Sequence, residues 1–135
     1  MRGKASIILI VGLVICLCVP SILAKKEGEA ENMSGKILQL NFKFNVTGEE
    51  YEKAVTPLAN EFAALSGLKW KIWMINEAEQ EAGGIYLFEN EASAKAYLEG
   101  PLAAQVTSHP ALSDFSVKLF DVMGDLTTIT RGPVK

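Results

Sequence analysis

The chain has 135 residues, 13 basic and 16 acidic side chains, one histidine and two cysteines, for a formal net charge of −3. That length is enough for one domain with its own core. No basic cluster follows Lys25-Lys26 and the lone His109 offers no recognisable zinc spacing, which argues against nucleic acid as a partner and against a metal centre.

Met1 to Lys4 is a short basic start, and Ala5 to Ala24 carries no charge. Pro20 breaks this run and Ala24 offers a small residue before Lys25-Lys26, so residues 1–24 read as a signal peptide. The alternative is an uncleaved anchor, because 20 uncharged residues can span a bilayer with Arg2 and Lys4 left in the cytoplasm. Either way the domain is exported, periplasmic or secreted, and touches a membrane only through this segment. Cys16 and Cys18 both lie inside it, so the rest of the chain has no disulfide, thiol nucleophile or thiolate metal site. Without Arg2 and Lys4 the balance is 11 basic against 16 acidic residues, the composition of a solvated surface.

Residues 25–35 are polar, acidic and rich in small residues, a disordered linker. The domain is expected over 36–130, followed by a tail at 131–135. In Lys36 to Phe44, Leu38, Leu40, Phe42 and Phe44 alternate with Gln39, Asn41 and Lys43, which predicts a strand. Tyr51, Val55, Leu58, Phe62 and Leu65 then form one helical stripe, which Pro57 must kink or restart and Ser66-Gly67 ends. Leu68 to Asn76 and Gly83 to Glu89 predict two strands joined as a hairpin. Asn90 caps a helix from Glu91 to Glu99, with Glu91 and Lys95 ordered for an ion pair. After Gly100-Pro101 a further turn or two of helix covers Leu102 to Ser108. Phe115 to Val122 is the last strand, and Thr127 to Lys135 a trailing arm.

The order β-α-β-β-α-β predicts an α+β, ferredoxin-like fold, a four-stranded antiparallel sheet with helices on one face. Trp73, Ile75, Tyr86, Phe88, Phe120 and Val122 cannot all share one face with the helix-contacting residues, so an aromatic surface is left for a second sheet, and the chain is expected to be a homodimer. Trp70 and Trp73, three apart on one strand, point to opposite faces. Gly83-Gly84 leaves side-chain space beside a backbone, and the neighbouring aromatics could line it. Glu81 borders that entrance, where partial desolvation by a partner subunit would raise its pKa. Gln39 and Asn41 supply polar groups that need partners or a ligand once covered. His109, between Ser108 and Pro110, reads as a surface or turn residue.

Leu38 through Asn45, Pro57-Leu58-Ala59, Trp70-Lys71-Ile72-Trp73, Glu81 through Phe88, Ala94 through Glu99 and Phe120-Asp121-Val122 together resemble the YdhR-type monooxygenases, over roughly Lys36 to Thr130. The Trp-Lys-x-Trp to Glu-Ala-Gly-Gly spacing is the most specific part. The resemblance implies a dimeric α+β barrel related to antibiotic-biosynthesis monooxygenases, which oxidise phenols or anthrones with dioxygen and need neither metal nor flavin. On that basis no cofactor is expected. Trp73, Gly84, Tyr86 and Phe88 would form the wall for a small aromatic substrate, Gln39 and Asn41 its donors, and Glu81 its base. Asn41 stands where a relative carries histidine. The alternatives are a non-catalytic binder of small apolar molecules, or a haem-handling protein, against which Trp73 lies on the second strand instead of the third.

Overall fold

The computed structural model describes residues 35–134, so the expected signal peptide or anchor and nearly all of the linker lie outside the described residues. The elements are β1 (Lys36–Phe44), α1 (Gly48–Val55), α2 (Leu58–Ala63), β2 (Leu68–Asn76), β3 (Glu81–Phe88), α3 (Glu91–Leu98), α4 (Pro101–Thr107), β4 (Leu112–Asp121) and α5 (Gly124–Ile129). The four strands form one antiparallel sheet in the order β2-β3-β1-β4, the ferredoxin-like arrangement. Among the described residues no helix is long and apolar enough to cross a membrane.

Alternation on β1 sets the layers. Leu38, Leu40, Phe42 and Phe44 are buried under the helices, while Gln39, Asn41 and Lys43 between them stay half-buried on the other face. Thr47 opens α1 with a capping box: its hydroxyl accepts from the Glu50 amide at 3.2 Å, and the Glu50 carboxylate accepts from the Thr47 amide at 2.9 Å. Pro57 has no N–H to give a continuing helix, and the stripe divides there into α1 and α2. Asn90 caps α3 by accepting from the Ser93 amide at 2.9 Å, and Pro101 starts α4 where a missing N–H costs nothing. Thr47→Ala is expected to lower stability by about 1 kcal/mol, read by urea denaturation with an unchanged slope.

Three sequence expectations change. β4 begins at Leu112, before Phe115, because a bulge at Asp114 (φ +52°) resets the pairing between Asn41–Ser116 and Lys43–Ser113. Leu112 and Phe115 can then both pack against the core. α5 instead runs from Gly124 into the start of the trailing arm, and the Trp70 indole N–H donates to the Pro133 carbonyl at 2.6 Å. Leu87, paired with Ile37 and Trp70 on the face away from α1–α4, is fully buried at that end of the sheet.

The third change concerns the faces. Phe120 does lie apart from the helix-contacting residues, as expected, but Trp73, Ile75, Tyr86 and Phe88 share the helix side of the sheet, where Trp73 and Ile75 stay partly exposed. Tyr86 pairs with Leu38 and Lys71, and Gly84 with Leu40 and Trp73, so the parity of β1 carries across the sheet. The open face instead carries Gln39, Asn41, Ile72, Met74, Ile85 and Phe120, with Ile72 and Phe120 about half exposed.

Candidate functional site

Between the sheet and α1, α2 and α4 lies a cavity of about 90 Å³. Phe42, Tyr51, Leu58, Phe62, Trp73 and Tyr86 line it, and Gln105, Val106 and His109 stand at the α4 end. Phe62 sets the wall's geometry. Its ring meets Trp73 edge-on at 5.3 Å between centroids and Tyr86 at 5.8 Å, spacings at which aromatic pairs attract.

Lys71 of β2 enters this aromatic wall. Its Nζ lies 3.1 Å from the Trp73 ring centroid, 3.4 Å from that of Phe62 and 4.7 Å from that of Tyr86. Gly84 makes the room, since a Cβ there would sit 3.0 Å from both Lys71 Cε and Tyr86 Cε2. No carboxylate lines the cavity, and no ion pair is formed by Lys71 among the described residues. Burial pushes the ammonium pKa down to about 6, because the charged form has lost its water. The ring faces act in the opposite sense, holding a cation by roughly 0.5–2 kcal/mol each.

The tyrosines are shifted upward. Burial pushes Tyr51 up to about 12 and Tyr86 further, so both hydroxyls stay protonated. Tyr97, with its ring centroid 5.5 Å from that of Tyr86, is also raised by burial, and its hydroxyl is buried with no hydrogen-bond partner among the described residues. His109 is exposed in the turn between α4 and β4, where Nδ1 accepts from the Ala111 amide at 3.2 Å.

The residues singled out in the sequence fall into two places. Trp73 and Tyr86 line the cavity and Gly84 borders it. Phe88 is fully buried behind it, stacked on Tyr97 at 5.8 Å. Gln39, Asn41 and Glu81 lie on the opposite face of the sheet. There the Asn41 amide donates to Glu81 Oε1 at 2.9 Å, Lys43 Nζ stands 3.3 Å from Glu81 Oε2, and the Gln39 amide reaches Asn41 Oδ1 at 3.4 Å. The raised Glu81 pKa is expected only where a partner subunit covers it; in the single chain the carboxyl is shifted the other way. The hydrogen bond from Asn41, then Lys43, hold its carboxyl below the usual range. Glu81 pairs with Lys43 and Asn76, so strand parity turns it away from the aromatic wall.

Lys71 is the residue that the sequence reading passed over. A signal was present: counting by twos from Trp73 puts a lysine on the apolar parity of β2, where a third hydrophobic residue would be expected. Among the described residues, no group of three or more His, Cys, Asp or Glu side chains is placed to hold a metal ion.

A family model described as "Putative mono-oxygenase ydhR" matches residues 37–133. Among solved structures, SnoaB, a cofactor-independent oxygenase from Streptomyces nogalater, is similar at 18% identity and a TM-score of 0.55, over 66% of this chain and 93% of that one. A dimeric ferredoxin-like protein of unknown function from Thermobifida fusca is similar at 23% identity and a TM-score of 0.53, over 66% and 92%. The heme-degrader MhuD from Mycobacterium tuberculosis is similar at 19% identity and a TM-score of 0.52, over 64% and 95%. No curated protein matches the chain. At these identities the structural likenesses establish the fold.

Proposed function

The chain belongs to the YdhR family of mono-oxygenases, and from that premise we propose that it oxidises a small phenolic or anthrone-like compound with dioxygen, without a cofactor. The observation that carries this reading is the aromatic cavity, lined by Trp73, Tyr86 and Phe62 and lacking any carboxylate. An electron-rich phenolate or enolate can hand an electron to dioxygen itself. The protein then has to exclude water, orient the ring and take up a proton. SnoaB, a cofactor-independent oxygenase of the same fold, supports the reading. The cavity's volume of about 90 Å³ favours a single ring inside, with any larger part of the molecule reaching out past Gln105 and His109, since pockets for drug-sized ligands hold roughly 300–1,000 Å³. The uncharged run from Ala5 to Ala24 supports an exported site of action.

The test is oxygen uptake by the purified protein with a panel of phenols, naphthols and anthrone. Uptake is expected to fall at least about tenfold in kcat/KM in Trp73→Ala, which removes one wall of the ring site. Binding of the same compounds with no uptake anywhere in the panel would leave a non-catalytic binder and sink the enzyme reading.

The reading includes a homodimer joined through the open sheet face. The similar Thermobifida fusca protein is dimeric, and the exposed Ile72 and Phe120 on this face favour cover. Ile72→Lys is expected to shift the protein from dimer to monomer in sedimentation. A wild type that sediments as a monomer at all concentrations would rule the dimer out.

A further inference from the structure

Resting on that reading, we propose that the Lys71 amine is the proton acceptor of the cavity, taking the hydroxyl proton of a phenol bound among Phe62, Trp73 and Tyr86. Position carries the argument first. The amine sits on the inner wall, against the Trp73 and Phe62 rings and beside the cavity that a bound aromatic would occupy. Gly84 lets its side chain lie flat between them.

The other groups facing the cavity do not compete. From α1 comes Tyr51, from β3 Tyr86, and from the turn before β4 His109; the lining residues of α2 and α4 carry no titratable group. Burial keeps both tyrosine hydroxyls protonated, so they can donate and not accept a proton near neutrality. His109 is at the exposed rim with Nδ1 already accepting from Ala111. Glu81 is on the far side of the sheet, bonded to Asn41.

The amine suits both ends of the transfer. Before it, burial favours the neutral form, whose nitrogen lone pair is free to accept. In the step the phenol O–H bond breaks, an N–H bond forms, and the electron pair remains on oxygen. Afterwards the ammonium lies against ring faces that attract a cation and beside the phenolate it has produced. Two neutral partners enter and an ion pair forms inside, so neither ion has to be carried out of water. The phenolate is the electron-rich species that the proposed oxidation requires.

A nitrophenol that ionises near neutral pH reports the transfer directly, because only its phenolate absorbs in the visible. Bound to wild-type protein, it is expected to show the phenolate band at a pH at least about one unit below that of the free compound. In Lys71→Met it should bind through the same rings and remain protonated, and Lys71→Gln repeats the comparison with a polar side chain. A bound nitrophenol that titrates like the free one in wild type, or a phenolate band retained in both variants, overturns the proposal while leaving the aromatic site intact. If the nitrophenol does not bind to wild type at all, the phenol-binding cavity itself is refuted, and the base with it.

Discussion

Lys71→Met is expected to make the folded protein more stable than wild type by about 3 kcal/mol at pH 7, with the gain shrinking as the pH rises. The sign follows from where the proton sits. In the unfolded chain the Lys71 amine has its ordinary pKa of 10.5, whereas burial in the fold lowers it to about 6. Between those values the unfolded state holds a proton that the folded state lacks, so wild-type stability climbs with pH at up to about 1.4 kcal/mol per unit. Below about pH 6 both states are protonated and the whole desolvation cost is present; above 10.5 both are neutral and it is gone. The full shift would cost more than 3 kcal/mol at pH 7, and the side chain's incomplete burial, which leaves the amine part of its water, reduces it. Methionine keeps the length and the ring contacts without a charge to desolvate. Urea unfolding at pH 7 and at pH 10 measures both quantities. A variant less stable than wild type at pH 7 would mean that the cation is a net stabiliser of the aromatic wall.

The side chain expected to weaken the fold is also the one the sequence reading missed, and the reason is physical. The Trp-Lys-x-Trp spacing was legible as a pocket wall because two bulky rings three apart must face opposite ways on a strand. Lysine between them reads as surface, since an ammonium is rarely buried without a partner. Only the cross-strand register brings Gly84 opposite Trp73 and next to the Lys71 chain, and register is not visible in one strand alone.

The β-α-β-β-α-β order, the break at Pro57 and the Asn90 cap were all readable, because each rests on local rules. The assignment of faces was not, because it needed the phase of three strands relative to one another. The sequence reading groups Gln39 and Asn41 with Trp73 and Tyr86, yet β1 buries Leu38 and Leu40, which pair with Tyr86 and Gly84. The bulge at Asp114 is illegible in the sequence for the same kind of reason. It shows as a non-glycine residue at φ +52°, which Asp tolerates, and not as any break in the hydrophobic pattern.

The two adjacent glycines have different duties, and substituting each by alanine is expected to separate them. A Cβ at Gly83 would lie 2.1 Å from the Leu40 carbonyl oxygen and 2.9 Å from Asn41 Cα. Those are backbone atoms of the central strand, and the sheet must part locally to admit a methyl group. Gly83→Ala is therefore expected to lose about 3 kcal/mol in urea unfolding and to loosen the β1–β3 ladder in amide exchange. At Gly84 the contacts are Lys71 Cε and Tyr86 Cε2, each at 3.0 Å, and the Ile72 carbonyl oxygen at 3.1 Å. The flexible lysine end can give way there, so Gly84→Ala should cost no more than about 1 kcal/mol. Its effect should appear in the cavity, as altered fluorescence of Trp73 when Lys71 is displaced from its ring. Equal losses at the two positions would mean that Gly84 is set by the backbone of β2, and that the room it leaves for Lys71 is incidental.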